Sequence, residues 1–253
     1  MKKLVEALLG VPLINGFLSL LTYIFYGAVL GIALAPSAMF LIKMHELLPI
    51  YSFSESLLNI FLFSLCIGVA VYLFFVVSTV VFGIFERILT LGFKPGRYST
   101  GSITFVRWII YSGLHVLSMY LVMPYISGTI WSRLFYKILG AKLGKNVFLN
   151  SNLISDAYLL EVGDNVVVGG GASVSCHIFE GDKLILGKIK IGSNSLIGAD
   201  SYVMPGATIG NNCNVGIKAI IRKNRNVPDK SMILAFPGAD ARKVAQLIKD
   251  DNE

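Results

Sequence analysis

Charged residues are scarce in this sequence. Aspartate, glutamate, lysine and arginine together make up 15% of its 253 residues, whereas hydrophobic residues make up 55%. A water-soluble domain needs more polar side chains than this to cover its surface. The mean hydropathy of +0.69 agrees with that imbalance. The composition therefore excludes an ordinary soluble protein and predicts membrane-spanning segments.

Cysteine and histidine are also rare, at three residues each. Cys66, Cys176 and Cys213 give no disulfide framework, and Cys66 and Cys213 lie among apolar or small residues, which is typical of packing positions. No serine or cysteine nucleophile motif and no nucleic-acid-binding motif occurs. The net charge of +7 therefore indicates membrane topology and anionic lipid rather than a nucleic-acid partner.

Two long uncharged runs dominate the first third of the chain. Their apolar cores, residues 13–35 and 57–84, are each long enough to cross a bilayer. We expect Pro36 to end or bend the first helix, and residues 39–48 to form a short connection. Lysine and arginine near the span ends place both termini of the pair in the cytoplasm. Residues 1–86 are therefore predicted to form a two-span transmembrane hairpin in the cell membrane.

Residues 87–141 are predicted to form a helical segment that lies in the membrane interface. Within it, 103–127 is moderately apolar, but aromatic residues and Arg107 are scattered along it, which suits an interfacial helix. The run WSRLFYKIL at 131–139 has the same character. The alternative is that 103–127 is a third span, which would move everything after it to the other side of the membrane.

A strict six-residue period fills the C-terminal part of the chain. The residue after each branched aliphatic key is most often glycine, and three places further on is a small residue. Neither a helix nor a hairpin has this period, whereas a parallel β-helix built from hexapeptide repeats does. We assign the β-helix to 142–235 and a tail or helix to 236–253. The most regular keys are Ile191, Ile197, Val203, Ile209, Val215, Ile221, Val227 and Ile233.

The repeat begins less regularly, with an irregular turn at 151–160, and after Val174 the period stops and resumes in a new phase at Ile191. The intervening residues, 175–190, are expected to leave the prism as a loop, and such loops often form a binding face. This loop contains His177, the only histidine of the β-helix, which is too few for a three-histidine zinc site. No metal is therefore expected.

His177 is the best candidate for a catalytic residue. An imidazole titrates near neutral pH and can take a proton from a hydroxyl or an amine, so His177 suits a general base; the alternative is an exposed polar residue of a polar loop. Glu180, three residues later, is the second catalytic candidate because it could fix the imidazole tautomer. Asp156, Glu161 or a backbone carbonyl could do so equally.

Basic residues near the end of the repeat form a second candidate site. They either lie on a solvated face or pair with the phosphates of a coenzyme laid along the coils. We predict cofactor binding by Lys218, Arg222 and Lys223.

The repeat, the histidine loop and a closing Val227-Pro228 resemble those of the left-handed β-helix (hexapeptide-repeat) acyltransferases. The resemblance implies a left-handed parallel β-helix, a loop histidine as general base, and acetyl-CoA or another acyl-CoA as donor. It also implies active sites between the subunits of a homotrimer. His177 occupies the corresponding place here.

A narrower resemblance covers about 87–244. LGFKPGRY, SGTIWSRLFYKILGAKLG and HIFEGDKLILGKIKIG are similar to segments of the membrane-anchored C-terminal domains of poly-ε-lysine-synthetase-type nonribosomal peptide synthetases. Those domains are associated with peptide-bond formation on carrier-bound aminoacyl groups, which implies an aminoacyl donor as a second possibility.

Together these observations predict a membrane α-helical hairpin and interfacial helices followed by a left-handed β-helix on the cytoplasmic side. The predicted activity is transfer of an acyl or aminoacyl group from a thioester to a hydroxyl or amine of a membrane-associated acceptor, with the lipid bilayer as a further partner. The alternative is a non-catalytic β-helix that assembles membrane partners.

Overall fold

The computed structural model describes residues 12–49 and 57–235, with side chains from Gly16 onward. The predicted tail at 236–253 lies outside the described residues, as do the N-terminal lysines. The described chain consists of a helical part followed by a prism of short strands.

Two long helices, α1 (Pro12–Leu47) and α2 (Leu57–Thr90), form an antiparallel hairpin. Both are long and apolar enough to cross a membrane, with mean hydropathies of 2.0 and 2.8 over an 18-residue stretch of each helix. Few of their side chains are buried inside the protein, which suits helices surrounded by lipid rather than by protein. Ser37 donates a hydrogen bond to the carbonyl of Ala70 across the hairpin, at 2.9 Å.

Pro36 does not end the first helix. Helix α1 runs through Pro36 to Leu47, so residues 39–47 are helical and do not form a connection. Proline removes only one backbone donor from a helix. In an apolar segment the remaining backbone groups still have to bond within the helix, and this favours its continuation.

A layer of three shorter helices follows: α3 (Ile103–Leu121), α4 (Met123–Ile126) and α5 (Ile130–Leu139). Ser102 caps α3, because its hydroxyl accepts a hydrogen bond from the backbone N–H of Phe105 at 3.2 Å. Gly140 ends α5 in the left-handed conformation, with φ of 110°. Among the described residues only α1 and α2 meet the spanning criterion. The interfacial position of α3 stays a prediction.

The prism is a left-handed parallel β-helix with three faces. Its aliphatic keys point inward and are buried, as Ile197 and Val203 show, except for the partly buried Leu143 and Ile233 at the two ends. Parallel pairing stacks each coil on the next, for example Ile197 on Val215. The first face contains β2 (Lys142–Leu143), β5 (Leu160–Val162), β10 (Ile189–Ile191), β13 (Thr208–Ile209) and β16 (Asn226–Val227); the second contains β3 (Phe148–Leu149), β6 (Val167–Val168), β11 (Leu196–Ile197), β14 (Asn214–Val215) and β17 (Met232–Ile233); the third contains β4 (Ile154–Ser155), β7 (Ser173–Ser175), β12 (Tyr202–Val203) and β15 (Ile220–Ile221).

The hexad pattern follows from this stacking. Asn194 and Asn212 turn the chain at equivalent corners with φ of 57° and 55°, a conformation that asparagine tolerates better than most residues. Gly198 lies so close to the next coil that a Cβ atom there would be 2.6 Å from the carbonyl carbon of Gly216. Glycine is therefore required at this step by contact between coils.

The interruption of the repeat forms a hairpin. After β7, the strands β8 (His177–Glu180) and β9 (Lys183–Leu186) leave the prism, and the chain returns at β10. We call residues 177–186 the arm. A further strand, β1 (Gly96–Ser99), pairs antiparallel with β9. The prediction that this segment leaves the prism is confirmed.

The helical layer covers the N-terminal end of the prism. The strands of the first coil are edge strands, whose outward polar groups need partners. The carbonyl of Leu149 accepts from the backbone N–H of Gly128 at 2.8 Å, and that of Gly144 accepts from the guanidinium of Arg133 at 2.6 Å. The helices therefore replace the missing coil, and their buried side chains are continuous with the core of the prism.

Candidate active site

His177 is the first residue of the arm, at the point where the chain leaves the prism. Its side chain is 26% exposed, so one edge of the ring is open to a ligand. Nδ1 lies 2.5 Å from Oδ2 of Asp156. Within the described ranges, no protein atom makes a hydrogen bond to Nε2.

Asp156 is fixed in place by hydrogen bonds to several neighbouring residues. It is fully buried in the corner after β4, with a left-handed φ of 55°. Its Oδ1 accepts hydrogen bonds from Nε1 of Trp108 at 2.9 Å and from the hydroxyl of Tyr158 at 2.8 Å. Its backbone N–H donates to the hydroxyl of Tyr111 at 3.1 Å. Asp156 therefore cannot turn away from His177 without breaking several bonds.

The electrostatics of the pair favour an ionised aspartate. Burial by itself raises the pKa of Asp156, but the hydrogen bond and charge of His177, together with the hydrogen bonds from Tyr158 and Trp108, outweigh burial and hold that pKa below its ordinary value. A carboxylate can only accept, so it fixes the proton of a neutral His177 on Nδ1. Nε2 is then unprotonated and faces away from Asp156, which is the state a general base requires.

Aromatic rings surround the imidazole. The ring of Trp108 packs edge-on against His177 with centroids 4.9 Å apart, and Phe179 lies 5.5 Å from Trp108. Phe105 extends the cluster, 6.1 Å from Phe179. Phe179 is 47% exposed, so the cluster forms an apolar wall that is open on one side. Such a wall lowers the local dielectric and strengthens the Asp156–His177 interaction.

Glu180 does not orient His177. One of its carboxylate oxygens pairs with Lys223 and the other with Arg97, at 3.1 Å. The hydrogen bond from Lys223 and the nearby positive charges lower the pKa of Glu180. Its side chain points from the arm to the last full coil and to β1, because alternate residues of a strand point to opposite faces. The structure thus places Asp156, rather than Glu180, beside Nδ1.

The three basic residues predicted to bind a cofactor do not form one cluster. Lys218 lies in the corner between β14 and β15, whereas Arg222 and Lys223 lie in the next corner, between β15 and β16. Lys218 and Arg222 are exposed, but Lys223 is half-buried and bonded to Glu180. Arg222 and Lys223 share the edge of the prism from which the arm leaves.

Cys176, next to His177, is fully buried, and burial raises the pKa of its thiol well above the ordinary value. A buried thiol of this kind is not a nucleophile. Trp108 and Tyr111 were missed as site residues, because aromatic residues scattered along an apolar helix also indicate the membrane interface. The signal that distinguishes them is their spacing of one turn on α3.

A concavity of about 690 Å³, separate from the His177 site, lies on the first face of the prism. Its lining includes Lys142, Glu161 and Lys190 but neither His177 nor Asp156. Glu161 accepts from Lys142 at 2.8 Å and from Lys188 at 2.6 Å, and these ammonium groups lower its pKa to about 2.

Residues 188–223 match the model of the bacterial transferase hexapeptide (six repeats). Together with the prism and the similarity to galactoside O-acetyltransferase, this match confirms the predicted resemblance to the hexapeptide-repeat acyltransferases. The predicted resemblance to poly-amino-acid synthetases is also confirmed.

Two curated relatives and one solved structure illustrate the similarity. Delta-poly-L-ornithine synthetase of Acinetobacter baumannii is 24% identical over 56% of this chain and 11% of that protein. Galactoside O-acetyltransferase of Escherichia coli is 31% identical over 32% of this chain and 44% of that protein. A structure of galactoside acetyltransferase in complex with coenzyme A is 15% identical, covers 64% of this chain and 93% of that one, and has a TM-score of 0.39. The chain therefore spans less than half the length of these two curated relatives.

Proposed function

We propose that this chain is a membrane-anchored acyl- or aminoacyltransferase in which His177 is the general base. The observation that carries the proposal is the pair formed by His177 Nδ1 and the buried Asp156, with Nε2 directed away from the carboxylate. Histidine and aspartate in this arrangement form the base and the orienting group of many acyl-transfer sites.

The reaction divides into two proton transfers. Nε2 of His177 takes the proton from the hydroxyl or amine of the acceptor while that atom attacks the thioester carbonyl. Asp156 stabilises the imidazolium that forms, since its carboxylate bonds Nδ1–H. The tetrahedral intermediate then collapses, the carbon–sulfur bond breaks, and the thiolate leaves with the proton from Nε2–H. The imidazole is regenerated, and the acyl group resides on the acceptor.

The proposed donor is a thioester, with acyl-CoA, including acetyl-CoA, as the first choice. Galactoside O-acetyltransferase, an acetyltransferase by name, supports an acyl donor, and delta-poly-L-ornithine synthetase supports an aminoacyl one. Both donors are thioesters, so each presents a thioester carbonyl carbon to the attacking atom of the acceptor. Lys218 and Arg222 have exposed side chains and would pair with phosphates of a coenzyme. Lys223 would have to exchange Glu180 for a phosphate to contribute.

The proposed acceptor is a molecule held at the membrane. Trp108 of α3 contacts both Asp156 and His177. Helix α3 packs against α2, one of the two helices long enough to span a bilayer. The site is thus close in the fold to the anchor, which favours an acceptor that stays in the same membrane. We place the chain in the cell membrane as a multi-pass protein, with the prism on the cytoplasmic side and assembled as a homotrimer.

The test uses the purified full chain in lipid nanodiscs made from bacterial membrane lipids. Radiolabelled acetyl-CoA is the donor, and both the release of the coenzyme A thiol and the transfer of label to the lipid fraction are measured. The substitution His177→Ala is expected to lower the rate of both at least about 1,000-fold, the scale set by general-base residues. The substitution His45→Ala, on the exposed end of α1, is the matched control.

Unchanged turnover by a folded His177→Ala variant would refute the mechanism. Absence of thiol release from the wild-type chain, together with no thermal stabilisation by acetyl-CoA, would favour the alternative of a non-catalytic scaffold.

A further inference from the structure

One face of α3 forms hydrogen bonds with the segment that carries Asp156. Trp108, Tyr111 and His115 lie about one helical turn apart, and all three form hydrogen bonds with residues 154–156. Trp108 donates to the carboxylate of Asp156, and Tyr111 accepts from its backbone N–H. His115 Nε2 lies 3.0 Å from the carbonyl oxygen of Ile154, two residues before Asp156. The first two contacts belong to the site described above, whereas the role of the third is unassigned.

Ile154 needs this partner because of its place in the sheet. Its strand, β4, is the edge strand of the third face and pairs with β7 on one side only. Ile154 is fully buried, so a carbonyl on its free side has no water to bond. His115 takes the position that a neighbouring strand would occupy. A carbonyl only accepts, and Nε2 of His115 must therefore carry a proton.

The other ring nitrogen of His115, Nδ1, contacts a buried carboxylate. Oε2 of Glu86, on α2, lies 2.7 Å from Nδ1 of His115, and Oε1 lies 2.8 Å from the hydroxyl of Ser118. Glu86 is 0% exposed and His115 is 3% exposed, so neither can touch a substrate. A buried polar pair of this kind is expensive to maintain unless its bonds are satisfied. The free-energy cost of burying Glu86 and His115 points to a role other than simple packing.

Stacking makes the arrangement rigid. The ring of Tyr111 lies nearly parallel to that of His115, with centroids 5.5 Å apart and an interplanar angle of 25°. Phe135 of α5 lies against His115 at 6.4 Å. A displacement of His115 therefore moves Tyr111, and with it the backbone of Asp156.

We infer that Glu86 and His115 are positioning residues for the Asp156–His177 pair, so that correct placement of the base depends on helix α2 being docked against α3. The inference rests on the proposed function, since it concerns the same site. Glu86 fixes the position of His115, and His115 fixes the carbonyl of Ile154. Ile154 lies two residues before Asp156 in the backbone, so Asp156 is positioned in turn. The site would then be fully active only when the membrane hairpin is assembled.

The experiment compares two isosteric replacements of His115. In His115→Gln the amide nitrogen lies near the position of Nε2 and still donates to Ile154. In His115→Asn the amide lies near Nδ1, so the contact with Glu86 survives while the contact with Ile154 is lost. Because a misplacement of about 1 Å can cost about 100-fold in rate, we expect kcat of the Asn variant to fall about 10- to 100-fold. KM for acetyl-CoA should change less than about two-fold, because the donor touches neither residue.

The conservative variant is the discriminating one. Under the inference, His115→Gln has a kcat about ten-fold or more above that of His115→Asn, at similar thermal stability. The double variant Glu86→Gln/His115→Gln removes the buried charge and keeps a donor for Ile154. It guards against misfolding caused by the carboxylate that His115→Gln leaves without its Nδ1 partner, and we expect its kcat to stay about ten-fold or more above that of His115→Asn. The substitution His45→Asn is the matched control on α1.

Equal kcat values for the Gln and Asn variants, in folded protein, would overturn the inference and leave Glu86 and His115 a purely structural pair. The same assay includes His177→Ala to separate the two failures. Loss of activity in His177→Ala with full activity in His115→Asn rejects only the positioning role. Full activity in His177→Ala rejects the general base, and the positioning role with it.

Discussion

Asp156 Oδ2 and His177 Nδ1 lie 2.5 Å apart because they leave the same corner of the prism in consecutive coils. The pairing of β4 with β7 aligns Ser155 with Ser175, so Asp156 stands opposite the residue just before His177. The distance between coils of a parallel β-helix is the strand spacing of about 4.8 Å, which a short carboxylate and an imidazole bridge. The stacking of the prism thus brings Asp156 next to the point where the arm begins with His177.

The first prediction concerns the tautomer of His177. In Asp156→Asn the amide oxygen keeps the bonds from Trp108 and Tyr158, so the NH₂ group faces Nδ1 and donates to it. The proton of His177 then moves to Nε2, which can no longer accept one. We expect kcat to fall by about 100-fold or more with little change in KM for the donor, measured as thiol release. Asp229→Asn, in the last corner, is the control, and a kcat within three-fold of wild type in Asp156→Asn would contradict the tautomer argument.

The second prediction concerns the tether of the arm. Glu180 joins the arm to Lys223 of the prism and to Arg97 of β1. Replacing Glu180 by Gln removes both ion pairs, and amide hydrogen exchange in residues 177–186 is expected to accelerate about two- to five-fold, as for a partly exposed pair. Asp182→Asn, at the turn of the arm, is the matched charge control. Exchange that is equally slow in Glu180→Gln and wild type would show that strand pairing alone holds the arm.

The third prediction concerns pH and Glu161. Lys142 and Lys188 hold the pKa of Glu161 at about 2 in the folded chain, against an ordinary value of 4.5. A lowered pKa stabilises the fold above pH 4.5, and this contribution is lost as the pH falls from 4.5 towards 2. Glu161→Gln should lower the free energy of unfolding at pH 7 by about 1 kcal/mol or less, since the pair is near the surface. The difference in melting temperature from wild type should shrink between pH 6 and pH 3, and a difference that grows in acid would have the wrong sign.

The fourth prediction concerns contact between coils. Gly198→Ala places a Cβ atom 2.6 Å from backbone atoms of the next coil, which cannot move without opening the stack. Gly170→Ala, at the corresponding corner of the preceding coil, meets nothing closer than 3.6 Å. We expect Gly198→Ala to cost about 1–3 kcal/mol of stability and Gly170→Ala to change it little. Thermal unfolding measures both, and equal melting temperatures would show that the coils yield.

The architecture of this protein is determined by its sequence. A period of six with an inward aliphatic key is compatible only with a stacked prism, and the break after Val174 locates the arm with its His177. Two uncharged runs likewise give the long apolar helices. These features are local, since each residue of a repeat or a run carries the information for its own environment.

The partners of the functional residues were decided only by tertiary structure. Sequence alone named Glu180 to orient His177 and left Asp156, Glu161 or a backbone carbonyl equally able to do so, because the choice depends on which corners stack and on which way the arm leaves. The continuation of α1 through Pro36 was also decided by its surroundings, since an apolar environment favours unbroken backbone bonding. The link from Glu86 through His115 to Ile154 joins residues far apart in the chain, and no periodicity encodes it. Repetition fixes the scaffold, whereas hydrogen bonds between distant segments fix the site.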